Sequence, residues 1–148
     1  MRLDDCLHGV HRVALDTPPL IYLIEANPGF DTIPLAVIRR AEEGRLRLFA
    51  SVLVLTEVLV QPLRKGLLEL AAQFRDILSS SGLIQLRPVD AATAEMAAQL
   101  RATYGLRTPD ALHLGSAITS GCQVFLTNDA DFKRITEVRV VLLSEVSV

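Results

Sequence analysis

The stretch that decides the fold covers residues 107–132 and reads R-T-P-D-A-L-H-L-G-S-A-I-T-S-G-C-Q-V-F-L-T-N-D-A-D-F. It predicts a helix that opens at Thr108-Pro109-Asp110 and ends near Gly121. A short buried strand at residues 124–126 and an acidic turn at residues 128–131 follow. Ligands of an open α/β sheet bind beyond the carboxyl ends of its strands, so the carboxylates of this unit predict a cation site.

Helix and strand patterns alternate outward from this stretch along the whole chain. The segment after Ser51 is ambiguous because its β-branched residues favour a strand, but we interpret it as a helix that ends at Pro62. The alternation predicts an α/β fold, a three-layer α/β/α sandwich around a mostly parallel sheet. The predicted strands are residues 10–15, 45–50, 83–86, 124–126 and 138–143.

Length and composition predict one domain over residues 1–148, with residues 1–10 as a polar N-terminal leader. The chain is 50% hydrophobic and 22% charged, which is ordinary for a folded domain. Its net charge of -2 gives no overall attraction to nucleic acid. Contact with a polyanion must therefore come from a local basic patch or a bound metal.

The sequence shows no sign of a membrane segment or a disulfide framework. The leader lacks the apolar core of a signal peptide, and no apolar run approaches the roughly 18 residues of a membrane span. We therefore expect a cytoplasmic protein. The two cysteines, Cys6 and Cys122, lack the paired spacing of a zinc site, and we interpret His8 and His11 beside Cys6 as coincidence.

Four acidic residues stand at the ends of predicted elements. Asp16 follows the first strand, Asp110 lies in the first turn of a helix, and Asp129 follows a buried strand. Each has an ordinary alternative role as a helix cap or turn residue. Glu57 lies in a helix that is apolar nearly all round, so we expect it to be buried and neutral, paired or metal-bound.

The convergence of these carboxylates predicts a metal site. All four can reach one crevice at the carboxyl edge of the sheet, where they would repel one another without a cation. Oxygen ligands select hard cations, so the sequence predicts Mg²⁺ or Mn²⁺. Such a metal would activate water and neutralise charge on a phosphate.

Four spaced motifs contain the four acidic residues. They are L-D-T at 15–17, T-E-V at 56–58, T-P-D-A-L-H-L at 108–114 and F-L-T-N-D-A-D-F at 125–132. Together they resemble the PIN domain family, especially the VapC-type toxins of bacterial toxin-antitoxin pairs. The resemblance implies a metal-dependent endoribonuclease that leaves a 5'-phosphate and a 3'-hydroxyl. It also implies a catalytic, metal-binding quartet of Asp16, Glu57, Asp110 and Asp129, a homodimer, and a cognate antitoxin that covers or enters the crevice.

Further residues are expected to support this quartet. By adjacency and the same resemblance, Thr127 and Asn128 would position Asp129. Asp131 matches a more variable position of the family and would have a supporting role at most. His113 shares a helix face with Asp110 but is flanked by leucines, so we interpret it as structural rather than as a catalytic base.

The RNA contact predicted from the sequence is the basic pair Arg64 and Lys65, although a solvated helix end is the alternative. A dimer could extend this surface with Arg39 and Arg40.

Two other functional classes compete with this prediction. A phosphatase of the haloacid-dehalogenase type needs a second Asp two residues after Asp16, and Pro18 occupies that position. A non-catalytic PIN-like module that recruits a protein or RNA partner stays open, because the quartet could serve as structural caps.

Overall fold

A computed structural model describes all 148 residues and contains five strands and seven α-helices. The strands are β1 (Arg12–Leu15), β2 (Arg47–Ser51), β3 (Ile84–Arg87), β4 (Val124–Thr127) and β5 (Arg139–Leu142). The helices are α1 (Leu3–Cys6), α2 (Thr17–Ile24), α3 (Thr32–Glu42), α4 (Leu53–Lys65), α5 (Leu68–Arg75), α6 (Ala91–Tyr104) and α7 (Thr108–Thr119). A π-helical turn (Asp76–Ser80) extends α5, and 3₁₀ turns follow β4 (Ala130–Arg134) and β5 (Leu143–Glu145).

The strands form one parallel sheet in the order β3-β2-β1-β4-β5. Strand β1 lies at the centre, where Val13 is opposite Leu48 of β2 and Val124 of β4. The chain therefore changes its winding direction between β1 and β4, which is the place where ligands of such sheets bind. The predicted α/β sandwich is confirmed, and the sheet is parallel throughout.

Helices cover both faces of the sheet because successive strand residues point to opposite sides. Val13 and Leu15 of β1 join a core with helices α1 to α5, whereas Ala14 joins a second core with α6 and α7. This two-sided burial explains why the strands read as nearly continuous apolar runs. The same alternation directs Asp16, the residue after Leu15, toward the α7 side.

Helix α4 confirms the helical interpretation of the ambiguous segment but corrects its end. Pro62 lies inside the helix, which continues to Lys65 and ends at Gly66 with a φ of 70°. A proline removes the hydrogen bond to the residue four positions earlier and its ring crowds the carbonyl there, but only three helical residues follow Pro62. The left-handed conformation at Gly66, which favours glycine, terminates the helix instead.

The first ten residues, interpreted above as a polar leader, contain the short helix α1. Leu3 and Cys6 are each 1% exposed and belong to the larger core. The Leu3 amide donates to the Ser147 carbonyl at 2.7 Å, and the Ser147 amide donates to the Met1 carbonyl at 2.9 Å. The segment is therefore part of the folded domain. None of the helices combines the length and apolar character that crossing a lipid bilayer requires.

Candidate active site

The four predicted acidic residues all lie at the carboxyl edge of the sheet. Asp16 directly follows β1, and Asp129 follows the neighbouring strand β4 by two residues. Glu57 is in the second turn of α4, which starts two residues after β2 ends. Asp110 is in the first turn of α7. The topology therefore brings the quartet to one edge, as the sequence predicts.

Asp16 is a buried carboxylate that only neutral groups hydrogen-bond. It is 7% exposed, its Oδ1 accepts from the Thr17 amide at 2.8 Å, and its Oδ2 accepts from the Thr127 hydroxyl at 2.7 Å. Burial raises the pKa of Asp16 above its ordinary value, although these hydrogen bonds and the nearby His113 oppose the shift. A divalent cation would supply the charge compensation that this carboxylate lacks.

Glu57 corrects one expectation, because its side chain is 39% exposed rather than buried in an apolar helix. Only Val54, Val58 and Pro62 of α4 are buried, so the helix has one open face. Glu57 is nevertheless fixed at both oxygens. The Thr17 hydroxyl donates to Oε2 at 2.9 Å, and His113 Nε2 lies 2.5 Å from Oε1.

His113 is therefore a site residue that the sequence interpretation undervalued. It is 3% exposed, and its Nδ1 is buried without a hydrogen-bond partner. The contact with His113 lowers the pKa of Glu57 against the effect of burial. Burial opposes protonation of His113, but Glu57 and the charges of Asp16 and Asp110 outweigh it and raise its pKa. The signal in the sequence was its spacing of three residues from Asp110, which places both on one helix face.

Asp110 forms an ion pair with Arg107, which the sequence analysis did not select. Arg107 Nε lies 3.1 Å from Asp110 Oδ2, and Nη2 lies 3.5 Å from Oδ1. The hydrogen bond and the charge of Asp110 raise the pKa of Arg107, and Asp129 and Glu57 contribute further. The sequence signal for this ion pair was the spacing of three residues between Arg107 and Asp110.

The acidic turn after β4 is tied to the site through Thr127. Its hydroxyl accepts from the Asp129 amide at 3.1 Å and donates to Asp16, so one side chain links two members of the quartet. Asp129 Oδ1 accepts from the Asp131 amide at 2.9 Å. Asn128, predicted to help position Asp129, instead donates from its side-chain amide to the Tyr22 hydroxyl at 3.0 Å.

The basic residues predicted to contact RNA lie at different distances from this edge. Arg64 follows Glu57 by seven residues, so it shares the same side of α4 about two turns further along. Lys65 is its exposed neighbour. Arg39 and Arg40 lie in the last turn of α3, shortly before β2 begins, which places them toward the opposite, amino edge of the sheet. Arg40 forms an ion pair with Asp4.

The donor chemistry of the quartet fits a hard divalent cation, because all four side chains offer carboxylate oxygens. As the side chains lie, however, no three His, Cys, Asp or Glu residues are close enough to hold one ion. Asp110 is turned toward Arg107, and Glu57 is held by Thr17 and His113. The residues therefore fit a divalent cation by type, although in this arrangement the Asp110 carboxylate is paired with Arg107.

Comparison with known proteins shows the family to which the chain belongs. The family model for the PIN domain matches residues 13–138. The chain belongs to the PIN domain family. The match includes all four acidic residues, the whole of β2, β3 and β4, and β1 apart from Arg12, and it ends at the residue before β5. Nucleases with a PIN domain generally use divalent metal ions. A search of curated proteins finds no match.

Solved structures share the PIN domain fold with this chain. A chain of the Rickettsia felis VapBC2 complex, bound to a promoter DNA fragment, has a TM-score of 0.73 and 20% identity over 88% of this chain and 98% of its own. A chain of the DNA-bound VapBC of Salmonella typhimurium has a TM-score of 0.69 and 20% identity over 90% of this chain and 98% of its own. Mycobacterium tuberculosis VapC20, a toxin that cleaves the sarcin-ricin loop, has a TM-score of 0.63 and 21% identity over 86% of this chain and 98% of its own.

Proposed function

We propose that this PIN domain protein is a VapC-type endoribonuclease that hydrolyses RNA phosphodiester bonds with Mg²⁺ or Mn²⁺. The observation that carries the proposal is the placement of Asp16, Glu57, Asp110 and Asp129 at one edge of the parallel sheet, on both sides of the point where its winding reverses. The fold shared with VapBC complexes and with a toxin that cleaves the sarcin-ricin loop supports it.

Asp16 would be the principal metal ligand in this proposal. Its two oxygens are oriented by the Thr17 amide and the Thr127 hydroxyl, and its burial excludes water from one side. Asp129 would be the second ligand, since Thr127 also fixes its backbone. Asp110 would share the ion. When bound, the cation would activate water and neutralise charge on the scissile phosphate.

Glu57 would orient the attacking water or hold a second ion. Contacts at both of its oxygens limit the rotation of its carboxylate, and both partners, Thr17 and His113, are buried. Arg64, on the same side of α4, is a candidate contact for the RNA backbone beyond the site, with Lys65 next to it.

The test is cleavage of mixed tRNA and ribosomal RNA, together with a sarcin-ricin loop hairpin, by purified protein in Mg²⁺, Mn²⁺ or EDTA. We expect metal-dependent cuts that fall about 100-fold or more in Asp16→Asn and in Asp110→Asn, because each loses charge stabilisation of several kcal/mol. Asp5→Asn, an exposed change in α1, is the matched control and should cleave like the wild type.

The variants also report on folding. Asp16→Asn should melt at or above the wild-type temperature without metal, because an amide avoids burial of a charge. Equal cleavage by wild type and both site variants would indicate a contaminating nuclease. If no RNA is cut and Mn²⁺ does not raise the melting temperature, a PIN-like module that only recruits a partner becomes the better explanation.

The partners proposed are a cognate antitoxin and a second copy of the chain. The solved relatives from R. felis and S. typhimurium are toxin-antitoxin complexes, which supports the first. An exposed apolar groove between α2, α3 and α5 is a surface that an antitoxin helix could cover. It is lined by Leu23, Ile24, Leu35, Ile38, Ile77 and Leu83. Light scattering of the purified protein tests the dimer.

A further inference from the structure

Arg107 lies at the mouth of the cleft between the start of α7 and the turn after β4. The cleft is lined by Asp110, Asp129, Asp131 and a second arginine, Arg134. The side chain of Arg107 is 80% exposed, whereas that of Asp110 is 23% exposed. The Arg107 guanidinium contacts both oxygens of the Asp110 carboxylate, with Nε 3.1 Å from Oδ2 and Nη2 3.5 Å from Oδ1.

This ion pair contributes little to helix stability. Arg107 is the N-cap of α7 and makes no capping hydrogen bond with its side chain. A positive charge at a helix N-terminus opposes the helix dipole, and exposed ion pairs are weak. The ordinary explanation, a stabilising surface salt bridge, therefore accounts poorly for a cation at this position.

The position of Arg107 instead relates it to the acidic site. It contacts Asp110 directly, and the charges of Asp129 and Glu57 also act on it. Its guanidinium therefore occupies the carboxylate oxygens of Asp110 that a divalent cation would need. Arg134 lines the same cleft but contacts no carboxylate there, because its Nε donates to the Asp131 carbonyl and its guanidinium lies over the Tyr104 ring.

We propose that Arg107 competes with the divalent cation for Asp110 and, once displaced, binds a backbone phosphate of the RNA. The proposal rests on the function proposed above. A guanidinium offers parallel N–H groups that match carboxylate and phosphate oxygens equally well. Because the Arg107 side chain is mostly exposed, it can exchange one anion for the other without disturbing the core. Arg107 is thus a substrate-binding residue that also sets the metal affinity.

The competition is tested by titrating Mn²⁺ alone into wild type, Arg107→Gln and Arg134→Gln, with calorimetric detection and no RNA. We expect Arg107→Gln to bind Mn²⁺ about three- to fivefold more tightly than wild type, which is the upper part of the range for an exposed ion pair. Arg134→Gln removes the same charge from the same cleft but frees no carboxylate. The Mn²⁺ affinity of Arg134→Gln should therefore change less than half as much as that of Arg107→Gln. Unchanged or weaker binding by Arg107→Gln, or equal tightening in both variants, would overturn the proposal.

The phosphate contact is tested with RNA at saturating Mn²⁺. Arg107→Gln should raise KM several-fold while kcat changes little. The KM of Arg107→Lys should lie between those of wild type and Arg107→Gln, since lysine keeps the charge but loses the paired donors. An unchanged KM in Arg107→Gln would overturn this part. If no variant cleaves RNA, the Mn²⁺ titration still decides the competition, so failure of the proposed function is distinguishable from failure of this inference.

Discussion

Thr127 shows how single side chains organise the site. Its hydroxyl contacts Asp16 and the backbone of Asp129, and it is fully buried. A buried hydroxyl that donates its single proton to one group and accepts a hydrogen bond from another holds both neighbours in place. The two carboxylates that follow the adjacent strands β1 and β4 are thereby coupled by one residue.

Asp90, the N-cap of α6, gives a prediction of pH dependence away from the site. Hydrogen bonds from the Thr93 amide and hydroxyl lower the pKa of Asp90 below its ordinary value of 3.8. A lowered carboxyl pKa stabilises the fold above pH 3.8, and this contribution is lost as the pH falls through the lowered value. The wild type should therefore melt at a higher temperature than Asp90→Ala at pH 6, and this difference should shrink as the pH falls below 3.8.

Thermal melting of both proteins between pH 2 and pH 6 checks this expectation. Asp90→Asn is the control, because an asparagine caps a helix without titrating. The difference in melting temperature between Asp90→Asn and Asp90→Ala should not depend on pH. A gap between wild type and Asp90→Ala that stays constant down to pH 2 would contradict the assignment.

At the scale of elements, helices α6 and α7 pack with almost no space between them at Gly115. A Cβ atom there would lie 3.0 Å from the Thr93 carbonyl oxygen and 3.3 Å from the Ala97 amide nitrogen. Both are backbone atoms, so neither can move aside cheaply. Because α7 carries Asp110 and His113, this close contact also fixes the position of both residues relative to α6.

Gly115→Ala should therefore destabilise the protein by about 1–3 kcal/mol, even though alanine is the better helix former. Chemical denaturation measures the change in the free energy of unfolding. Ala98→Gly, an exposed position of α6, is the control for helix propensity alone and should cost about 1 kcal/mol. A more stable Gly115→Ala would show that the helices have room to separate.

Helix α4 shows the limit of prediction at this scale. Its sequence is apolar on nearly all sides, so local pattern indicates a fully buried helix and a buried Glu57. The structure leaves one face open, with Val60 40% and Leu63 49% exposed. Which faces of a helix are covered depends on how many elements pack around it, and this number is not encoded within the helix itself.

For the whole molecule, the two ends of the chain are tied together beside the core. Leu3 of α1 is 1% exposed and packs into the larger core, while its amide pairs with Ser147 near the C-terminus. The polar composition of residues 1–10 hid this role, because only one side of the short helix is apolar. Contacts between residues so far apart in sequence cannot be inferred from local pattern.

Leu3→Ala should therefore lower the free energy of unfolding by about 2–5 kcal/mol, the range for truncating a buried leucine. Leu68→Ala is the matched control, since Leu68 is 70% exposed. It should change stability by no more than about 0.5 kcal/mol. Denaturant titration measures the free energy of unfolding of both variants. If Leu3→Ala loses as little stability as Leu68→Ala, α1 adds nothing to the core.

The sequence by itself determined the alternation of strands and helices, the parallel sheet, and the edge at which Asp16, Glu57, Asp110 and Asp129 gather. These follow from local hydrophobic periodicity and from the rule that ligands bind beyond the carboxyl ends of strands. Only the tertiary structure decided which partner each carboxylate takes: Thr127 for Asp16, His113 and Thr17 for Glu57, and Arg107 for Asp110. Most of these pairs join residues that are 40 or more positions apart, and such contacts arise from packing, which local patterns do not specify.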